Sequence, residues 1–315
     1  SVSCLGNIAG LVISSIFKSI AGIYLAIPFL FLPQILLSGV VVKFDQLYYK
    51  LSSPKVVPII GDLMASRWAY EAIDVYQFKH NDFENPVFNS EYTESNLRSG
   101  LLYLIPLVTS TLDAVKSLPL NQRMASHDFG VLSSALLQLN QLDIGAIKQP
   151  LYLSSIGDDS LRNLGLQMKF YKSKLSREYN RVIALKERII EQQQKLLGGA
   201  DAYANFRNQH QNSALVDLVR NRSEQDPVRI EGNEVTVMAD PIFQPPQSRV
   251  GRAQFYAPYK KIGAWRIDTY YFNSMVLWLM WFGGYLILIT GALEILVIKI
   301  EQKRREWQSK KINVK

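Results

Sequence analysis

The sequence predicts a mainly α-helical membrane protein. About three membrane helices, the first truncated, are joined by an inserted, mostly helical extracytoplasmic domain with a small β-hairpin. Three observations lead there. Residues 1–17, 19–42 and 269–293 carry no charged side chain and are rich in Ile, Leu, Phe and Val, whereas 43–268 is ordinarily polar. A helix needs about 20 apolar residues to cross a bilayer, and about 17 is the lower edge. The last block is led by Trp265, Tyr270, Tyr271 and Phe272 and followed by Lys303, Arg304 and Arg305. That is an aromatic belt at one end and a cytoplasmic basic flank at the other.

The charge balance excludes one class of function. The formal charge is +8 over 315 residues, but the basic residues are scattered except at 303–305 and at Lys310-Lys311. A basic cluster directly after an apolar block marks a cytoplasmic end, not a nucleic-acid surface. Cys4 is the single cysteine, so no disulfide forms within the chain. His80, His127 and His210 stand far apart without ligand-spaced partners, so no metal site is expected. The sequence holds no phosphate-cradling Gly-x-x-x-x-Gly-Lys-Ser/Thr loop, no His-Glu-x-x-His and no nucleophile elbow. No catalytic constellation follows. The chain opens inside an apolar run without Met, which predicts a missing upstream portion.

Element by element, residues 1–17 read as a truncated span whose Gly6, Ala9 and Gly10 allow close helix contact. Residues 19–42 read as a second span containing Pro28 and Pro33, which membrane helices tolerate. Gln34 lies within it, either as an interhelical hydrogen bond or as a polar point on a substrate path. Residues 43–60 read as a linker. From Asp62 to Phe78 an amphipathic segment places Arg67 and Glu71 four apart on one face, with Trp68, Tyr70 and Tyr76 suited to a membrane–water boundary. Its plain reading is a surface helix.

Residues 79–96 read as loop, 99–112 as a buried helix and 128–147 as another helix. Leu161, Leu164, Met168, Tyr171 and Leu175 open a three-and-four spacing that runs to Leu197 and stops at Gly198-Gly199. Residues 228–237 alternate around Gly232-Asn233 as a hairpin, and 240–260, with four prolines, read as an irregular connector. The expected division is membrane helices and interfacial segment over 1–83, outer domain over 84–265, last span over 266–300 and basic tail over 301–315. Positive charge at 303–305 places the C-terminus in the cytoplasm and 43–268 outside, which in a bacterium means an inner-membrane protein with a periplasmic domain.

Two stretches carry a family resemblance. Pro33-Gln-Ile-Leu-Leu-Ser-Gly-Val-Val-Val42 and Ser66-Arg-Trp-Ala-Tyr-Glu-Ala72 with Gln77-Phe78 resemble the permease half of G-subfamily (White-like, type-2) ABC exporters. The resemblance covers residues 1–83 and, by topology, the last span; 84–265 lie outside it. It implies that 1–17, 19–42 and 272–298 are the fourth to sixth helices. It implies a substrate pathway at Pro28, Leu32, Gln34 and Ile35, and an outer gate at Ser38, Gly39, Val40 and Val41. Arg67, Trp68 and Glu71 would lie on a re-entrant helix. It also implies a homodimer in membrane lipid, ATP and Mg at a nucleotide-binding domain outside these residues, and an unidentified lipophilic or amphiphilic substrate. The outer domain could then dock a periplasmic protein partner through 161–197. The rival expectation is a membrane-anchored scaffold presenting that domain.

Overall fold

The computed structural model describes all residues except 18, 45–54, 145–149, 154, 293, 294, 296–298, 300, 301 and 304–315. In chain order the helices are α1 (Val2–Ile16), α2 (Ile20–Leu36), α3 (Ile59–Asp62), α4 (Ala65–His80), α5 (Phe88–Arg98), α6 (Ile105–Ser117), α7 (Leu120–Arg123), α8 (His127–Gln141), α9 (Asp158–Leu197), α10 (Ala200–His210) and α11 (Ser213–Val219). Strands β1 (Val228–Glu231), β2 (Glu234–Val237), β3 (Tyr259–Ile262) and β4 (Trp265–Asp268) precede α12 (Thr269–Thr290). The described residues are 68% helical, with two small antiparallel hairpins, so the mainly helical class holds. It divides into two units: Ser1–Ser52, Pro58–Ala72 and Tyr270–Lys315 form one; Ser53–Val57 and Ile73–Thr269 form the other.

In the first unit, α1, α2 and α12 are apolar helices that bury little. α12 has 22 residues, about 33 Å at 1.5 Å per residue, against a hydrocarbon core of about 30 Å. Among the described residues it is the one helix long and apolar enough to cross a membrane. α1 and α2 are shorter, at 15 and 17 residues. The expected span over 19–42 is therefore helical only to Leu36. Gly39 sits at φ 86°, a conformation that a glycine adopts without steric cost and that ends the helix. Pro28 and Pro33 both lie inside α2, which has no buried residue at all. α1 buries Ile8 alone, and a Cβ on Gly284 of α12 would come within 2.5 Å of Ile8 Cγ2. The missing side chain at Gly284 lets α1 and α12 approach closely, the packing mode of helices in lipid.

The second unit has two apolar cores. In the larger, α5, α6, α8 and α9 converge through Leu97, Val108, Leu132, Leu139, Leu161 and Leu164. α9 enters on the predicted stripe and buries Leu161, Leu164, Met168, Tyr171 and Leu175. Beyond Leu175 none of its residues is fully buried. Asp158 and Asp159 lie in its first turn, where the helix dipole favours anions. Gly198, at φ 97°, ends it where predicted, with the Gly198 and Gly199 N–H groups donating to the Gln194 carbonyl. The uncharged run 99–112 is helical as expected. Pro106 cannot donate to the preceding turn, and the backbone widens to a π-helical turn over Ser99–Leu104 immediately before it.

The first hairpin has the expected register, Val228 opposite Val237 and Glu231 opposite Glu234. Its turn rests on α8, where a Cβ on Gly130 would lie 2.3 Å from Asn233 Cγ. Two expectations are corrected. α5 begins at Phe88, inside the stretch read as loop. Asn89, Ser90, Thr93 and Ser95 are poor helix formers, but tertiary bonds override that: Ser95 Oγ donates to Asp240 Oδ2 at 3.1 Å and Asn96 Nδ2 to the Phe243 carbonyl at 2.7 Å. The stretch 240–260 is not wholly irregular, since Pro241–Phe243 form a 3₁₀ turn and β3 starts at Tyr259. Lys260 and Lys261 break the apolar alternation in β3, although Trp265-Arg266-Ile267-Asp268 in β4 keeps it. α8 fits the helix expected over 128–147 as far as Gln141; residues 145–149 lie outside the described set.

Candidate functional site

The predicted re-entrant residues form a buried ionic centre in the first unit. Arg67 and Glu71 sit one turn apart on α4, and both side chains are fully buried. Arg67 Nη1 lies 3.4 Å from Glu71 Oε2 and Nη2 lies 3.7 Å from Asp62 Oδ1. The guanidinium lies over the Trp68 ring, 3.8 Å from its centroid. Trp68 Nε1 donates to the Asp62 carbonyl at 2.8 Å. From α12, Asn273 Nδ2 donates to Glu71 Oε2 at 2.8 Å and to the Trp68 carbonyl at 3.1 Å. One cation is thus held between two carboxylates and a ring face, and the amide of Asn273 holds one of those carboxylates.

This corrects two readings. The segment is not an ordinary surface helix, because its charged residues face inward. Trp68, expected at a membrane–water boundary, is buried because it stacks on Arg67, while Tyr70 and Tyr76 remain exposed. Removing a charge from water costs several kcal/mol. Arg67 Nε and Nη1 are buried without a hydrogen-bond partner among the described residues, so ion pairing and the Trp68 ring face offset that cost and the arrangement holds only while its members stay together. It offers no nucleophile and no open ligand position. What it can do is fix α4 against the first turns of α12.

A second link ties α2 to α4. The first N–H groups of a helix have no partner within it. Gln34 Oε1 accepts the Ser66 N–H at 3.1 Å, and the Ser66 hydroxyl donates to the Gln34 carbonyl. Gln34 therefore makes the interhelical bond that was one of its two readings. At the predicted gate, Ser38 is buried, donates to the Ile35 carbonyl at 2.9 Å and accepts the Val40 N–H at 3.3 Å. With Gly39 it closes α2. Pro28, Leu32, Ile35 and Val41 are exposed and Val40 is half-buried. The structure thus brings Gln34 to α4, and Arg67, Trp68 and Glu71 to Asn273. Lys303 is described but Arg304, Arg305, Lys310 and Lys311 are not.

The second unit holds a charged centre that sequence reasoning missed. Asp240, at φ 48°, accepts Arg220 Nε at 2.9 Å and also pairs with Arg98. Arg220 reaches Glu91 at 3.4 Å. Burial works to lower the Arg220 pKa, but Asp240, Glu91 and Glu84 outweigh it and the net shift is upward. Glu84 is buried beside them with its Oε1 bonded to Gln211 Nε2, while its Oε2 accepts no hydrogen bond among the described residues. Burial, and then Glu91, push its pKa up to about 7, against the Gln211 bond, Arg220 and Arg207. Burial likewise raises the Tyr92 phenol, which donates to Asp143 at 3.3 Å. The members come from residues 84–98, 220 and 240, separations that no local pattern announces. Asn273, a lone amide in an uncharged run, was the one legible signal missed in the first unit.

Among the described residues no group of three or more His, Cys, Asp and Glu side chains could hold a metal ion. Family models, curated proteins and solved structures yield no match to this chain.

Proposed function

We propose that this chain is the permease part of an ATP-driven exporter of the G-subfamily type, moving a lipophilic or amphiphilic substrate across a bacterial inner membrane. The observation that carries the reading is the buried Arg67–Glu71–Asn273 centre joining α4 to α12, next to the Gln34–Ser66 link joining α4 to α2. A short helix bound by polar contacts to two apolar helices is a means of transmitting helix movement, and the motif residues of the family resemblance are the ones that make those contacts. The exposed apolar faces of α1, α2 and α12 support lipid as their surroundings. Nucleotide binding elsewhere would shift the helices between two states through its unequal affinity for them. ATP and Mg belong to a nucleotide-binding domain outside these residues, and the functional unit is a homodimer with its C-termini in the cytoplasm.

The test uses the full-length transporter in proteoliposomes. Arg67→Ala leaves Glu71 without its cation and is expected to abolish ATP-dependent movement of a fluorescent amphiphile while basal ATP hydrolysis persists. Transport unchanged in that variant defeats the reading. The size of the second unit favours the alternative of a membrane-anchored, non-transporting scaffold: loss of a bound partner on deletion of residues 90–260 would support it, and transport retained in that deletion would oppose it.

A further inference from the structure

We propose that the tip of the β3–β4 hairpin is a membrane-surface contact, inserting Val250, Ile262 and Trp265 into the headgroup layer of an anionic bilayer. Ile262 and Trp265 are cross-strand partners, and an isolated bridge pairs Val250 with Ile262. The bridge is flanked by two bonds: Gly251 N–H donates to the Lys261 carbonyl at 2.7 Å and Gly263 N–H to the Arg249 carbonyl at 2.8 Å. Partners across a ladder share a face. The three apolar side chains therefore lie side by side at the turn, and they are 75%, 44% and 75% exposed. Nearer the base of the hairpin the same face is covered, since Lys260, opposite Ile267, is fully buried.

Three features favour lipid over a protein occupant. The surrounding charge is positive: Arg249 and Arg266 are exposed and Lys261 is half-buried, while Asp143, bonded to Arg266 at 2.7 Å, is the acid that faces them. Positive groups near a membrane are drawn to anionic lipid. An exposed Trp at the tip has the amphipathic ring that settles at the membrane–water boundary. The tether is short, because β4 ends at Asp268 and α12 begins at Thr269. Four residues of extended chain reach no more than about 14 Å, so Trp265 stays close to the start of α12. The inference rests on the reading of α12 as a membrane span.

The experiment places a nitroxide at Ile262→Cys, Trp265→Cys or, as control, Leu279→Cys in α12, each with Cys4→Ser. All three positions are exposed, so labelling does not disturb a core. The full chain is reconstituted in phosphatidylcholine vesicles containing phosphatidylglycerol, and collision with oxygen is compared with collision with a water-soluble nickel chelate. The expected result is oxygen accessibility severalfold above nickel accessibility at 262 and 265, at a shallower depth than 279. Labels at 262 and 265 exposed to the nickel reagent, with 279 deep in lipid, overturn the hairpin contact and leave the span standing. A label at 279 exposed to the nickel reagent overturns the span, and the hairpin contact with it.

Discussion

The Arg67 and Asp240 centres solve the same problem by opposite routes. Arg67 pairs with a residue on its own helix turn, and its remaining contacts come from neighbours at Asp62 and Trp68, while one amide on α12 bonds its partner Glu71. Asp240 draws Arg98 from the end of α5 and Arg220 from the end of α11, so its partners are supplied entirely by tertiary folding. Local pairing forms with the helix; distant pairing forms only when the chain closes loops, of 20 residues to Arg220 and of 142 residues to Arg98. The Arg67–Glu71 pair itself should therefore survive loss of its distant neighbour Asn273 better than the Asp240 cluster survives loss of Arg98.

The sharpest way to break that contrast is Asp240→Ala. It leaves Arg220 and Arg98 without their shared carboxylate, and removing one partner of a buried pair costs about 3–5 kcal/mol. The midpoint of urea unfolding of the second unit should fall accordingly, while Asp240→Asn, which keeps the shape and tolerates the left-handed backbone, should lose less. An unchanged midpoint for Asp240→Ala would mean that the cluster holds nothing together.

Glu84 gives the next effect. Its folded pKa, about 7, lies above the 4.5 of an ordinary glutamate. Stability from this group is therefore fully present below about pH 4.5 and is lost as pH rises through about 7. At 1.36 kcal/mol per pKa unit the swing is on the order of 3 kcal/mol. Thermal unfolding between pH 5 and 8 should show this decline, and Glu84→Gln, which cannot ionise, should flatten it. A wild-type curve that rises over that range contradicts the assignment. Glu91→Gln removes the like charge, so it should move the upper end of the decline to lower pH.

The smallest effect sharpens the other side of the comparison. Gln34→Ala deletes the side-chain acceptor at the start of α4, a loss of about 0.5–2 kcal/mol for a helix cap. Hydrogen exchange at the Ser66 amide should accelerate, with the rest of α4 little changed. Equal protection in the variant would remove Gln34 from the link between α2 and α4.

Much of the helical framework was legible. The stripe from Leu161 to Leu197, the Gly198 stop, the Gly232-Asn233 hairpin and the apolar block of α12 each follow from short-range rules of period, turn and composition. Of the candidate site, the Arg67–Glu71 pair was legible because four residues make one helical turn. Its burial was not, since spacing says which residues are neighbours and nothing about which way the face points. α5 was missed because its helix is maintained by Asp240 and Phe243, far along the chain.

Sequence alone thus determined the stripe and stop of α9, the turn of the first hairpin and the apolar block of α12, because those depend on residues a few positions apart. Tertiary structure alone decided that Arg67 and Glu71 face inward onto Asn273, that Asp240 gathers Arg98 and Arg220, and that Glu84 holds its proton near neutrality. Each of those depends on which distant groups exclude water from a charge, and water exclusion is a property of the packed chain.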